Sequence, residues 1–172
     1  MRPLELFCFC PRCSRPIEPG GNPLHCRVCH LTYFFNPTVA AAAFVFDAQG
    51  RVILIRRDKE PKKGLYTIPG GFLDICETAE AGLARELREE VGLEIDEIRY
   101  LCSEPNEYQF KDVTYPVCDL VFTARAMFPD EAAALDGAED FQWASVAEID
   151  PATLAFPSVR KGLEVLKSRL TI

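Results

Sequence analysis

The chain has 172 residues, 48% of them hydrophobic and 26% charged, which suits one ordinary core with a small appendage and excludes wholesale disorder. A formal net charge of -7 argues against a protein whose main business is non-specific nucleic-acid binding. It still permits polyphosphate ligands if cations neutralise both sides. Nothing at the N-terminus reads as a secretory leader, and the longest apolar run, 39–46, is far short of the roughly 20 residues of a membrane helix. A cytoplasmic place and no membrane partner are expected.

Residues 1–36 differ in character from the rest of the chain. They hold Cys8, Cys10, Cys13, Cys26 and Cys29, both histidines and several prolines among short turns. Cys10-Pro-Arg-Cys13 and Cys26-Arg-Val-Cys29 are paired CxxC knuckles, and four thiolates at this spacing complete a tetrahedral Zn²⁺ site. Pro16, Pro19 and Gly20-Gly21 between them fit the hairpin of a zinc ribbon. A redox CxxC normally comes singly, and disulfides are disfavoured in a cytosolic chain. Four cysteines leave the ion no open position, so the Zn²⁺ is expected to be structural. His25 and His30 are read as bystanders. Arg2, Arg12, Arg15 and Arg27 give the ribbon some basic character, so contact with nucleic acid stays open as a minor possibility. Asn36-Pro37 marks the junction to a second domain over 37–172.

That second domain intermixes strands and helices. A buried strand is expected over 39–46, a hairpin turn at 47–50, and its partner over 51–56. A charged loop over 58–64 and a tight loop at Pro69-Gly70-Gly71 precede a helix over 78–91, capped by Thr78 and stopped by Gly92. Strands come next over 98–103 and 115–126, the second with Cys118, Leu120, Phe122 and Ala124 on one face, then a surface loop over 130–137 and a strand over 141–145. Ser158 caps a final helix with Val159, Leu163, Leu166 and Leu170 as its apolar stripe. Cys76, Cys102 and Cys118 are read as small buried hydrophobes.

The charge pattern on the 78–91 helix carries the chemistry. Glu86, Glu89 and Glu90 stand at i, i+3 and i+4, so their carboxylates leave one face within a turn, beside an apolar seam of Leu83, Leu87 and Val91. Such a cluster of hard oxygen ligands suits Mg²⁺ or Mn²⁺. By spacing alone, a solvated acidic face balanced by Arg85 and Arg88 is as good an account. From Gly71 the chain reads Gly, five residues, Glu77, seven residues, then Arg85-Glu86-Leu87-Arg88-Glu89-Glu90-Val91-Gly92-Leu93. This resembles the Nudix box, with every specified position filled.

The resemblance implies an α+β Nudix fold, a mixed β-sheet sandwiched between helices, preceded here by the small zinc ribbon. It implies a pyrophosphohydrolase in which Glu86, Glu89 and Glu90 hold Mg²⁺ or Mn²⁺. Arg85 orients the cluster by ion pairing, Glu77 is structural or an auxiliary ligand, and Gly71 lets the loop approach the helix. Gly82, in mid-helix, departs from good helix chemistry at a cost of up to about 1 kcal/mol and allows close packing. Glu89 is one choice for the general base. Glu104, Glu107, Asp112, Glu139 and Asp140 are others.

A zinc ribbon directly before such a domain resembles the NADH pyrophosphatase branch. Ser103-Glu104-Pro105-Asn106-Glu107-Tyr108 keeps only the serine, one proline and an aromatic of that branch's recognition element. The expected substrate is therefore a nucleoside diphosphate linked to another group: NADH, ADP-ribose and FAD stand level. Tyr66, Phe72, Tyr108 and Phe110 are candidates to stack on a base, and Arg56, Arg57, Lys62 and Lys63 to hold phosphates. An RNA-directed decapping enzyme and a non-catalytic nucleotide-sensing regulator are the alternatives, and a homodimer is possible by the same resemblance.

Overall fold

The computed structural model describes residues 1–170; Thr171 and Ile172, the last two residues of the expected second domain, lie outside the described residues. It divides into two compact units, one of Met1–Thr38 with Glu107–Val117, the other of Val39–Asn106 with Cys118–Ile172.

In the first unit, α1 (Pro3–Leu6) precedes the first knuckle, and the two-residue strands β1 (Leu24–His25) and β2 (Thr32–Tyr33) pair antiparallel around the second. The knuckles fold alike: the N–H of Ser14 donates to the Cys10 carbonyl and that of His30 to the Cys26 carbonyl, both Ser14 and His30 at φ 58.

The remaining elements are β3 (Thr38–Phe46), β4 (Arg51–Arg57), β5 (Tyr66–Thr67), β6 (Gly70–Phe72), α2 (Ala79–Val91), β7 (Ile95–Phe110), β8 (Val113–Ala126), β9 (Ala138–Ser145) and α3 (Pro157–Leu170), all in the second unit except the first residue of β3, the end of β7 from Glu107 and the start of β8 to Val117. Strands run in the order β5-β4-β3-β8-β7, with β6 added to β3 and β9 to β4. The expected hairpin forms: Asp47 Oδ1 accepts from the N–H groups of Gln49 and Arg51. Yet β3 and β4 pair only at Phe46 and Val52, then part, β3 taking β6 and β4 taking β9.

Period-two alternation sorts the apolar run of β3 between two cores. Ala41, Ala43 and Val45 meet Leu83, Leu87 and Val91 of α2, while Phe44 meets Val159, Leu163 and Leu166 of α3. Ile53 and Ile55 of β4 join the first core, Val52 and Leu54 the second. The sheet is thus covered by a helix on each face, the expected arrangement. No helix among the described residues is long and apolar enough to cross a membrane.

Several expectations need correction. Gly70 and Gly71 are not loop but strand, paired with Ala42 and Ala41. A side chain at Gly70, whose φ is +140, would run into the Ala41 carbonyl. β7 begins earlier and ends later than the 98–103 pattern, because its outer face is polar and carries no apolar alternation. α3 starts at Pro157, which puts Ser158 inside the first turn and buried, and Leu170 ends the stripe exposed. Cys76 is exposed, and Cys102 and Cys118 are only half-buried.

Candidate active site

β6 and α2 bring Gly71, Glu77, Arg85, Glu86 and Glu89 together, while the Glu90 carboxylate goes to the Gly70 N–H. Thr78 caps α2 by accepting from the Ala81 N–H, and Gly92 closes it at φ 69. Arg85 is the hub. Its Nε and Nη2 grip Glu77 Oε1 and Oε2 at 3.1 and 3.0 Å, Nη1 reaches Glu86 at 2.8 Å and Glu89 at 3.0 Å, and Nη2 also donates to the Phe72 carbonyl. The guanidinium holds the Glu77 carboxyl below its ordinary value, helped by the Asp74 N–H.

Glycines make room for the acids. A Cβ at Gly71 would stand 2.5 Å from the Glu86 carboxyl carbon, so any larger residue would push that carboxylate from its place beside β6. A Cβ at Gly82 would strike Leu73 and lie 2.8 Å from Glu77 Oε2. This answers the mid-helix glycine: close packing outweighs helix propensity.

Glu90 turns away from Arg85. Its Oε2 accepts the Gly70 N–H at 2.8 Å, and burial pushes its carboxyl up to about 8 against the pull of that N–H. Glu86 is also raised by burial, despite Arg85. Two carboxyls are thus squeezed out of water with Arg85 already engaged. Glu89, by contrast, is half exposed. Sequence reasoning missed the neighbours of Glu90. The loop after β8 folds back on α2, the N–H groups of Ala133, Leu135 and Asp136 donating to the carbonyls of Val91, Glu90 and Glu89. Asp136 so lies near Glu90 and binds Lys59 at 2.6 Å. The acidic, Ala-rich composition of 130–137 points only to a surface loop.

In the first unit the four expected cysteines do meet. Their Sγ atoms lie within 4.8 Å of one another, with Cys10 and Cys29 at 3.6 Å and Cys13 and Cys26 at 3.7 Å. A disulfide needs about 2.05 Å, whereas a tetrahedral ion with bonds of about 2.3 Å separates its sulphurs by about 3.8 Å. The N–H groups of Cys29 and Val28 draw the Cys26 thiol down to about 6. The Arg15 N–H pulls on Cys13 likewise, but burial and the three other sulphurs push it up to about 12. Cys8 stands exposed, and His25 turns to the Thr32 hydroxyl instead.

The NUDIX domain family matches residues 36–164. The chain belongs to this family.

Among relatives of this NUDIX chain, the NAD-capped RNA hydrolase NudC of Pseudomonas fluorescens is 30% identical over 145 residues, covering 83% of this chain and 50% of its own. That of Salmonella typhi is 31% identical over 97 residues, covering 56% and 38%. The chain thus spans half or less of the length of these curated relatives. A NUDIX hydrolase structure from Nitrosomonas europaea superposes with a TM-score of 0.70 at 23% identity, covering 95% of this chain and 93% of that one. The NUDIX domain of Shewanella oneidensis NrtR, complexed with ADP ribose, gives 0.62 at 23% identity, covering 80% of this chain and 90% of that one. Both share the fold.

The other expected site residues of this NUDIX chain are scattered. Glu107 pairs with Arg2, and Asp112 sits at the β7–β8 turn with its carbonyl accepting from the N-terminal amine. Glu139 pairs with Arg56 across β9 and β4, and Asp140 stands opposite Arg56 in that ladder. Arg57 donates to the Pro61 carbonyl and lies over the Phe156 ring. Asn106 of the degenerate recognition element donates to Asp119, whose carboxyl burial raises.

Proposed function

We propose that the protein is a divalent-cation-dependent hydrolase of the pyrophosphate bond in a nucleoside diphosphate joined to another group, with NADH, ADP-ribose and FAD as the substrates to test first. The observation that carries this reading is the pair Glu86 and Glu90, both raised by burial while Arg85 is committed to Glu77, Glu86 and Glu89. Hard carboxylate oxygens whose charge is poorly compensated fit Mg²⁺ or Mn²⁺.

In this reading Glu86, Glu89 and Glu90 hold the cation, which when bound neutralises the diphosphate and activates water for attack at phosphorus. Arg85 aligns Glu86 and Glu89, Glu77 anchors Arg85, and Gly71 keeps the space Glu86 occupies. Glu89, half exposed and held through one oxygen, takes the proton of the attacking water at the other. Cys10, Cys13, Cys26 and Cys29 hold a structural Zn²⁺ in a ribbon of residues 1–36 ahead of the hydrolase domain.

A screen of NADH, NAD⁺, ADP-ribose, FAD, dinucleoside polyphosphates and nucleoside triphosphates with Mg²⁺ or Mn²⁺ tests the reading. Nucleoside monophosphate is the expected product, lost in Glu89→Gln and Glu90→Gln. Full activity in both variants defeats the assignment of the site. A second reading, cleavage at a nucleotide-capped RNA end, is favoured by the NAD-capped RNA hydrolases among the relatives. Capped RNA cleaved far faster than the free dinucleotide would establish it.

A further inference from the structure

The chain is acidic, yet among the described residues its unpaired arginines are gathered in one place. Among the described residues, the side chains of Arg12, Arg15 and Arg27 meet no carboxylate, carbonyl or ring. Every other arginine has such a partner, whether a carboxylate, as for Arg88 and Arg125, or a main-chain carbonyl, as for Arg160 and Arg169. All three unpaired guanidiniums are exposed and belong to the knuckles: Arg12 inside the first, Arg15 just after it, Arg27 inside the second.

The sulphur contacts that hold Cys13 against Cys26 bring the two knuckles side by side. Their arginines are therefore anchored within roughly 10–20 Å of one another, counting one Cα step from a cysteine for Arg12 and Arg27 and two for Arg15. The same unit exposes rings that a ribbon of this size has no core to bury. Phe9 is 61% exposed, Phe34 62% and Tyr33 50%. Tyr33 packs edge-on against Phe35 at 5.2 Å, and Phe35 against Phe7 at 5.3 Å, so the Tyr33 ring is braced.

From these observations we infer that the ribbon is a grip for single-stranded RNA, in which Arg12, Arg15 and Arg27 bind phosphates and the exposed rings stack on bases. Cationic side chains with aromatic platforms are the general solution for binding single strands, because every base has a π-face and every nucleotide a charge. An acidic protein would engage the arginines and leave Phe9, Tyr33 and Phe34 unexplained. The inference deepens the proposed function and rests on it only for the choice of RNA: a site that cleaves nucleotide-linked diphosphates meets such a strand at a capped end. The net charge of -7 is no obstacle, since the three guanidiniums still outweigh the charge of -2 that four thiolates about one Zn²⁺ leave at the knuckles.

The test titrates a fluorescein-labelled single-stranded RNA with the full chain at several salt concentrations, and measures hydrolysis of free NADH and ADP-ribose and zinc content on the same preparations. The triple variant Arg12→Ala, Arg15→Ala, Arg27→Ala is expected to bind at least about tenfold more weakly, with a salt slope flatter by up to about two. Its zinc content and hydrolysis of free dinucleotide stay unchanged. Phe9→Ala with Phe34→Ala should weaken binding without altering the slope. Equal RNA binding by wild type and triple variant overturns the inference. So does wild type that cleaves free dinucleotide but does not bind RNA, or that binds polyglutamate instead. Loss of zinc from the triple variant also overturns it, by showing that the arginines serve the tetrathiolate. Wild type that binds RNA through these residues but cleaves nothing leaves the grip standing and removes the proposed function.

Discussion

Replacing Glu90 by glutamine separates the electrostatic strain at the site from its geometry. The amide can still accept the Gly70 N–H that Glu90 Oε2 receives at 2.8 Å, but it cannot ionise. In the folded chain the Glu90 carboxyl is pushed up to about 8 by burial, against an ordinary 4.5 when unfolded. A folded-state value raised above the unfolded one means the folded protein holds its proton more tightly. Stability is therefore undiminished below pH 4.5, falls as pH rises toward 8, and stays reduced above it. The full difference corresponds to at most about 5 kcal/mol, and partial exposure lowers this to about 2–4 kcal/mol, or about 5–15 °C in Tm. Thermal melts without added divalent cation should show wild type and Glu90→Gln nearly coincident at about pH 5 and the variant more stable at about pH 8.5. Mg²⁺ should raise the wild-type Tm at the higher pH and leave the variant unmoved. Parallel pH curves for the two proteins would refute the reasoning.

Gly82→Ala should reverse the usual helix rule. Propensity favours alanine by about 1 kcal/mol, but the new methyl meets Leu73 and Glu77, and overpacking of about 1–3 kcal/mol makes the variant less stable in denaturant titrations. Gly71→Ala should cut kcat/KM by about 100-fold while Tm moves by a few degrees, because the displaced group is the Glu86 carboxylate rather than the core. Arg85→Lys keeps the charge but loses the two-pronged hold on Glu77, and a drop in kcat larger than the change in KM is expected. Cys26→Ser should abolish stoichiometric zinc and unfold residues 1–38, seen as lost amide protection there while the α2 amides stay protected.

Much of the site is legible in the sequence, and for physical reasons. The i, i+3, i+4 spacing of Glu86, Glu89 and Glu90 fixes one helical face, and paired CxxC fixes four sulphurs about one point. Thr78 and Gly92 cap α2 as their chemistry demands. Other features depend on tertiary pairing that no local pattern encodes. Gly70 and Gly71 carry loop chemistry, yet β3 parts from β4 and its freed edge captures them as a strand. The parting of Glu89 and Glu90, one drawn to Arg85 and the other to Gly70, depends on where β6 lies. Asp136 reaches the site only because the last carbonyls of α2 need donors, which the loop after β8 supplies.

Arg85 has a further consequence through its donor count. Nε, Nη1 and Nη2 are shared among Glu77, Glu86, Glu89 and the Phe72 carbonyl, so every N–H of the fork is already spent on the protein itself. A phosphate arriving at this place finds an arginine with nothing left to give. The chain has used this guanidinium as internal scaffolding, and in the proposed function the diphosphate's charge must be met by a cation at the glutamates or by other basic side chains. The proposed dependence on a dissolved cation would then follow from how the resting protein spends its donors, before any substrate enters.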